Sequence, residues 1–146
     1  MTAHEWLDRG DQTDDPIDAF TNYWRAFNNL FSAGCGLERD KIKLFLSQHL
    51  SGTQAEEILQ SNIAGVAYLM SQPVIDMRGN GKDTAQNIQA FNVAPDSLAK
   101  LQELFMVVYQ VRCNLEHGEK LPSSERDIRL CQSAYPLVAN VVAQNV

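Results

Sequence analysis

No stretch of this 146-residue chain approaches the roughly 18 uninterrupted apolar residues that a membrane-spanning helix needs. No membrane partner is therefore expected. The first residues carry Glu5, Asp8, Asp11, Asp14 and Asp15 where a secretion signal would have a basic and then an apolar segment, so a cytoplasmic protein is expected. Cysteine is scarce. Cys35, Cys113 and Cys131 form neither an even set nor a C-x-x-C spacing, which suits thiols used as small hydrophobes in a reducing compartment. Positive charge is also short: 12 Lys and Arg stand against 18 Asp and Glu, a formal net charge of −6. That balance argues against a protein that coats nucleic acid by bulk electrostatics, and leaves open an enzyme with local positive charge at a cleavage site. No segment alternates apolar and polar residues over a strand length, which argues against a sheet. No group of His, Cys, Asp or Glu has ligand spacing, so neither a metal nor another cofactor is expected.

What remains is helical periodicity. An apolar content of 45% and a charged content of 21% are those of an ordinary globular domain. The pattern predicts an all-α bundle of five to six helices in one domain over residues 14–146, preceded by a loose segment over residues 1–13. Asp15 followed by Pro16 signals a helix start, and Ile17, Phe20, Tyr23, Trp24, Phe27, Leu30 and Phe31 then share one face. A second helix spans about Glu38 to Leu50 with Ile42, Phe45, Leu46 and Leu50 inward; His49 lies beside that face. Thr53 and Glu56 form a capping box for a third, whose stripe of Ala55, Ile58, Leu59, Ile63, Val66 and Met70 continues through Gly65 towards Pro73. Residues 73–83, P-V-I-D-M-R-G-N-G-K-D, form the substantial loop. Its Gly79-Asn80-Gly81-Lys82 is read as a tight turn, because a P-loop needs a preceding strand and a Lys-Ser/Thr ending. Asp83 caps a short helix to Asn92. A last helix, capped by Ser124 with Asp127, turns Ile128, Cys131, Tyr135, Val138 and Val142 to one side, with Pro136 inside it.

The helix from Pro95 to Gly118 carries the chemistry. Leu98, Leu101, Leu104, Phe105, Val108 and Leu115 fall in one sector, and Arg112 falls inside it. A guanidinium stays ionised, so one withdrawn from water needs a partner or a place where a charged group arrives. His117 follows five residues later at the helix end. Two readings of the pair stand. Arg112 can be held internally by a carboxylate such as Asp76, with His117 favoured at the helix C-terminus. Alternatively the two form a site for RNA: histidine exchanges a proton near neutral pH, and arginine clamps phosphate oxygens. On an ideal helix a separation of five residues turns them about 140° apart, so one substrate reaches both only if the helix unwinds or a second copy contributes. Lys120, Arg126 and Arg129 crowd into the same segment, interleaved with Glu116, Glu119, Glu125 and Asp127; this mixed-charge stretch is either a solvated surface or, through Asn114, Lys120 and Arg126, a substrate-binding one.

The run V-Y-Q-V-R-C-N-L-E-H-G-E-K, Val108 to Lys120, resembles the Arg-x4-6-His motif of the HEPN superfamily, and within it the Apea-like branch. F-T-N-Y-W-R-A-F-N-N-L-F (Phe20 to Phe31), P-V-I-D-M-R-G (Pro73 to Gly79) and D-I-R-L (Asp127 to Leu130) fit the same pattern in order. The resemblance implies an up-and-down helical bundle that pairs about a two-fold axis, bringing the Arg and His of both protomers into one cleft. Many such domains are metal-independent endoribonucleases acting as toxins or defence effectors, some held by an antitoxin-like protein partner; others are non-catalytic modules or bind nucleotide. Carried over, Arg112 and His117 become the catalytic pair, a homodimer the working unit, and RNA or nucleotide the partner. Two positions depart from the pattern. Cys113 stands where a polar residue often follows the Arg, and no Tyr follows His117 within two residues.

Overall fold

A computed structural model describes residues 1–33, 35–117 and 124–146. Among these residues there are eight helices and no strand, the chain running α1 (Ala3–Asp11), α2 (Pro16–Phe31), α3 (Glu38–His49), α4 (Gly52–Ser61), α5 (Ile63–Ser71), α6 (Ala85–Val93), α7 (Ser97–His117) and α8 (Glu125–Ala143). The all-α expectation holds; the count of five to six does not. The helix-ending Gly34 and Gly118, and the turn through Leu121, Pro122 and Ser123, lie outside the described residues.

The first additional helix lies where a loose segment was expected. Thr2 and Glu5 form a reciprocal capping box, Thr2 N–H donating to Glu5 Oε2 (2.8 Å) and Glu5 N–H to Thr2 Oγ1 (3.2 Å). α1 then packs on α2 through Gly10, whose missing side chain leaves room for the Tyr23 ring. Tyr23 donates its hydroxyl proton to Asp11 Oδ1 (2.6 Å), which ties the end of α1 to α2. Trp6 is half-buried beneath the Arg25 guanidinium, 4.8 Å from its ring centre.

The second arises from a break. The expected long helix from Thr53 divides at Asn62, whose φ of −130° and ψ of 33° leave the helical region. The Asn62 amide donates to Ile58 O (2.7 Å) and to Asn140 Oδ1 of α8 (2.9 Å), so a side chain supplies the bond a continuing backbone would have made. The chain then turns onto α8, where Gly65 lies against the Ser133 backbone. Ile63, expected inward, is exposed in consequence, and Leu69 is buried in its place. The capping box of α4 is Ser51 with Gln54, not Thr53 with Glu56.

α2 and α7 supply the densest part of the core. Phe20, Tyr23, Trp24, Phe27 and Phe31 are all buried, as the stripe predicts. Phe27 has no exposed surface and meets Phe31, Phe45 and Phe105 at ring-centre distances of 4.9, 5.7 and 5.4 Å. Side chains so enclosed contribute about 3–5 kcal/mol each against truncation to Ala. α7, capped by Asp96 Oδ1 accepting the Ala99 N–H (2.8 Å), is buried almost all round its middle from Leu104 to Val108, because α3, α4, α5, α6 and α8 all pack on it. Its C-terminal turns emerge from this packing, and that is where Arg112 stands.

A candidate RNA-binding groove at the end of α7

Arg112 is withdrawn, with 24% of its side chain exposed, yet it does not point into the core. Its Nη1 lies 2.8 Å from Glu116 Oε2, one turn further along α7, and 3.8 Å from Glu38 Oε2 at the start of α3. Its Nη2 also donates to Glu116 Oε1 at 3.3 Å. The partner proposed from sequence, Asp76, is taken by another residue: Arg78 holds it through Nη2 at 2.8 Å. The internal Arg112–Asp76 pair is therefore replaced by a cavity-facing Arg112–Glu116 pair.

The guanidinium opens onto two hollows that share Trp24, Arg25 and Arg112. One, about 260 Å³, is lined further by Phe20, Thr21, Leu115 and Glu116. The other, about 380 Å³, is lined by Trp6, Asn28, Asn29 and Ser32. Two arginines, two indoles and several amides thus surround one groove between α1, α2 and α7. Guanidiniums offer phosphate oxygens paired donors, whereas the Trp24 ring is buried among Phe20, Phe27, Phe31 and Tyr109 and the Trp6 ring lies beneath Arg9 and Arg25, so what the groove offers a ligand is anion binding by its arginines. Arg25 and Trp6 were not singled out as site residues from sequence. The adjacent Trp24-Arg25 pair was the available signal, but Trp6 required knowing that α1 folds back on α2.

Behind the groove, Glu38 Oε2 accepts the Tyr109 hydroxyl proton at 2.6 Å, so one carboxylate oxygen serves both Tyr109 and the approach to Arg112. Burial, followed by the bond to Glu38, raises the Tyr109 pKa well above the ordinary tyrosine range and keeps its proton in place.

The remaining sequence candidates are dispersed. His117 is the last residue of α7 and is exposed. Asn114 is committed to the loop before α6, its Nδ2 donating to Ile75 O (2.8 Å) and its Oδ1 accepting the Met77 N–H (3.1 Å). Arg126, in the first turn of α8, packs over the Tyr68 ring and donates to the Tyr68 hydroxyl (3.3 Å) and to Pro73 O (3.4 Å), so it braces α5 against α8. Lys120 lies outside the described residues. His49 is exposed and stacks on Phe45 with ring centres 4.4 Å apart. Among the described residues no group of three or more His, Cys, Asp or Glu could hold a metal ion, and no helix is long and apolar enough to cross a membrane. Comparison with protein-family models, curated proteins and solved structures gives no match.

Proposed function

We propose that the chain is a metal-independent endoribonuclease of the HEPN type, acting as a homodimer in which Arg112 and His117 of two copies share a cleft. The observation that carries the reading is the position of Arg112: its guanidinium faces a groove lined by Arg25, Trp6 and Trp24 and is not spent on Asp76. α7 stays helical as far as His117, so within one copy the two side chains diverge by about 140° and a second copy is the economical way to bring an Arg and a His to the same phosphate. In the resulting step one His117 takes the proton of a ribose 2′-hydroxyl, whose oxygen attacks the adjacent phosphorus. The other His117 protonates the departing 5′-oxygen, leaving a 2′,3′-cyclic phosphate. Arg112 stabilises the charge gathered on the phosphate oxygens. Glu116 holds Arg112 until RNA arrives and is the side chain a phosphate displaces.

A second reading has one observation in its favour. The pairing of Arg112 with Glu116, within reach of Glu38, already neutralises the guanidinium, which suits a dimeric HEPN module that binds RNA, nucleotide or a protein partner without cutting. Cleavage of a panel of single-stranded RNAs in EDTA separates the two. Cleavage to cyclic-phosphate ends, with His117→Ala slowed about 10²–10⁴-fold and Arg112→Ala about 10²–10³-fold, is the expected result. His117 is exposed, so its variant stays folded. Intact RNA, a monomer at working concentration, or His117→Ala cutting as well as wild type overturns the nuclease reading.

A further inference from the structure

The groove at Arg112 leaves a closely hydrogen-bonded loop without a role. Between α5 and α6 the chain makes a finger closed by a bridge between Ile75 and Asp83, with Asp76 N–H donating to Lys82 O (3.0 Å) and Thr84 N–H to Val74 O (3.2 Å). Its tip turns through Gly79 and Gly81 at φ of 73° and 76°, a region glycine enters freely. Asp76 is 3% exposed and organises the tip, accepting from Arg78 Nη2 (2.8 Å), Arg78 N–H (3.0 Å) and Asn80 Nδ2 (3.1 Å). Asn114 clamps the base from α7. The finger stabilises little core in return, since Ile75 and Met77 are 68% and 59% exposed. Val74 at its base is buried, but a loop ordered at this entropic cost with its other apolar side chains exposed is organised for what it presents.

It presents one wall of a cleft of about 500 Å³ whose other walls come from α3, α6 and α7. Arg39 from α3 and Arg78 and Lys82 from the finger line it, together with Thr84, Asn87 and Gln110. The Arg39 guanidinium is fixed over the Tyr109 ring at 4.8 Å and donates to Gln110 Oε1 (3.4 Å), the Gln110 side chain being buried. Arg78 is fixed by Asp76. The two carboxylates on the lining are both engaged internally, Asp76 by Arg78 and Asn80, and Asp83 by the Ala85 N–H (2.9 Å). Among the described residues neither Arg39 nor Lys82 has a carboxylate at ion-pair distance. Three cations and two carboxylates thus line one polar hollow, and with Arg78 paired to Asp76 the local balance is still positive in a chain whose net charge is −6. The volume is that of a small-molecule site, and the lining has amides and a hydroxyl but no aromatic ring to stack a base.

We propose that this cleft binds a phosphate monoester of a small hydroxylated compound, its phosphate held by Arg39, Arg78 and Lys82 and its hydroxyl groups facing the Asn87 side. The site is separate from the Arg112 groove and stands whether or not the chain cuts RNA. Calorimetric titration of the full chain with ribose 5-phosphate, inorganic phosphate and uncharged ribose tests it. Ribose 5-phosphate should saturate with a dissociation constant of about 0.01–1 mM, inorganic phosphate more weakly, and ribose not at all. Lys82→Ala, at an exposed position whose loss leaves the fold intact, and Arg39→Gln should each weaken the phosphate ester about tenfold or more, while Arg112→Ala binds it as wild type does. Absence of saturable binding by either phosphate probe, equal binding by Lys82→Ala and wild type, or loss of binding in Arg112→Ala overturns the proposal. So does an outcome in which single-stranded RNA binds this cleft and ribose 5-phosphate does not.

Discussion

Replacing Gly65 with alanine is the sharpest test of how α5 sits on α8. In an exposed helix interior the substitution stabilises by about 0.8–1 kcal/mol, since Ala loses less backbone entropy on folding. At Gly65 a Cβ would stand 2.9 Å from Ser133 O and 3.3 Å from Ser133 Cα. These are backbone atoms of α8, which cannot swing aside as the end of a side chain can, so the helices must separate by a few tenths of an ångström. Overpacking of this kind costs about 1–3 kcal/mol, more than the propensity gain. The net expectation is destabilisation by about 1 kcal/mol, or about 2–4 °C in melting temperature for a chain of this size. Gly52 is the internal control. It is the first residue of α4, and nothing lies within 4 Å of where its Cβ would stand, so Gly52→Ala should stabilise by about 0.4–1 kcal/mol. Urea unfolding followed by circular dichroism measures both. Opposite signs are expected; if Gly65→Ala is stabilised as Gly52→Ala is, α5 does not lie on the α8 backbone and the packing argument fails.

Two further expectations concern pH. Hydrogen bonds from Arg78 hold the Asp76 carboxyl far below the ordinary Asp range, so its contribution to stability is present above about pH 4 and is lost as pH falls through the depressed folded value. The urea midpoint of wild type should therefore fall more steeply below about pH 4 than that of Asp76→Asn; parallel curves would contradict the ion pair. At the other extreme, burial, reinforced by nearby Asp127 and Asp15, pushes the Cys131 thiol up to about 12. Its stabilising effect is complete below the ordinary thiol value of about 8.5 and declines as pH rises towards the folded value, so Cys131→Ala should lose less stability than wild type between about pH 8.5 and pH 12. The exposed Cys35 should react with a thiol reagent in the native protein, whereas Cys131 reacts only on unfolding.

The elements legible in the sequence are those whose partners need not be known. α2 and α8 were readable because an aromatic or aliphatic residue at helical spacing must find a core, whatever forms it. α7 was readable for the same reason, although it is buried on more sides than its stripe of leucines implied. α1 was not, because its apolar content is low; the Thr2–Glu5 capping box was present but had no apolar run behind it to give it weight. The break at Asn62 depends on Asn140, far along the chain, and no local pattern announces it. The candidate groove divides similarly. Arg112 stood out as a charge in an apolar sector, and its pairing with Glu116 follows from helical spacing. Glu38, Trp6 and Arg25 reach it from other helices, and the cleft beside the finger is assembled from α3, the finger, α6 and α7. Asp76 was one partner considered for Arg112, but a residue two positions along its own finger reaches it first.

The aromatic face of α2 has a consequence for synthesis of the chain. The α1 partner of α2 is adjacent in the chain, but the helix that packs most broadly on the other side of α2 is α8, which begins only at Glu125. At the ordinary pace of translation the interval between the end of α2 and the arrival of α8 is roughly five to twenty seconds. Throughout it Phe20, Tyr23, Trp24 and Phe27 lack part of their eventual cover, and an apolar face is left open to solvent for that time.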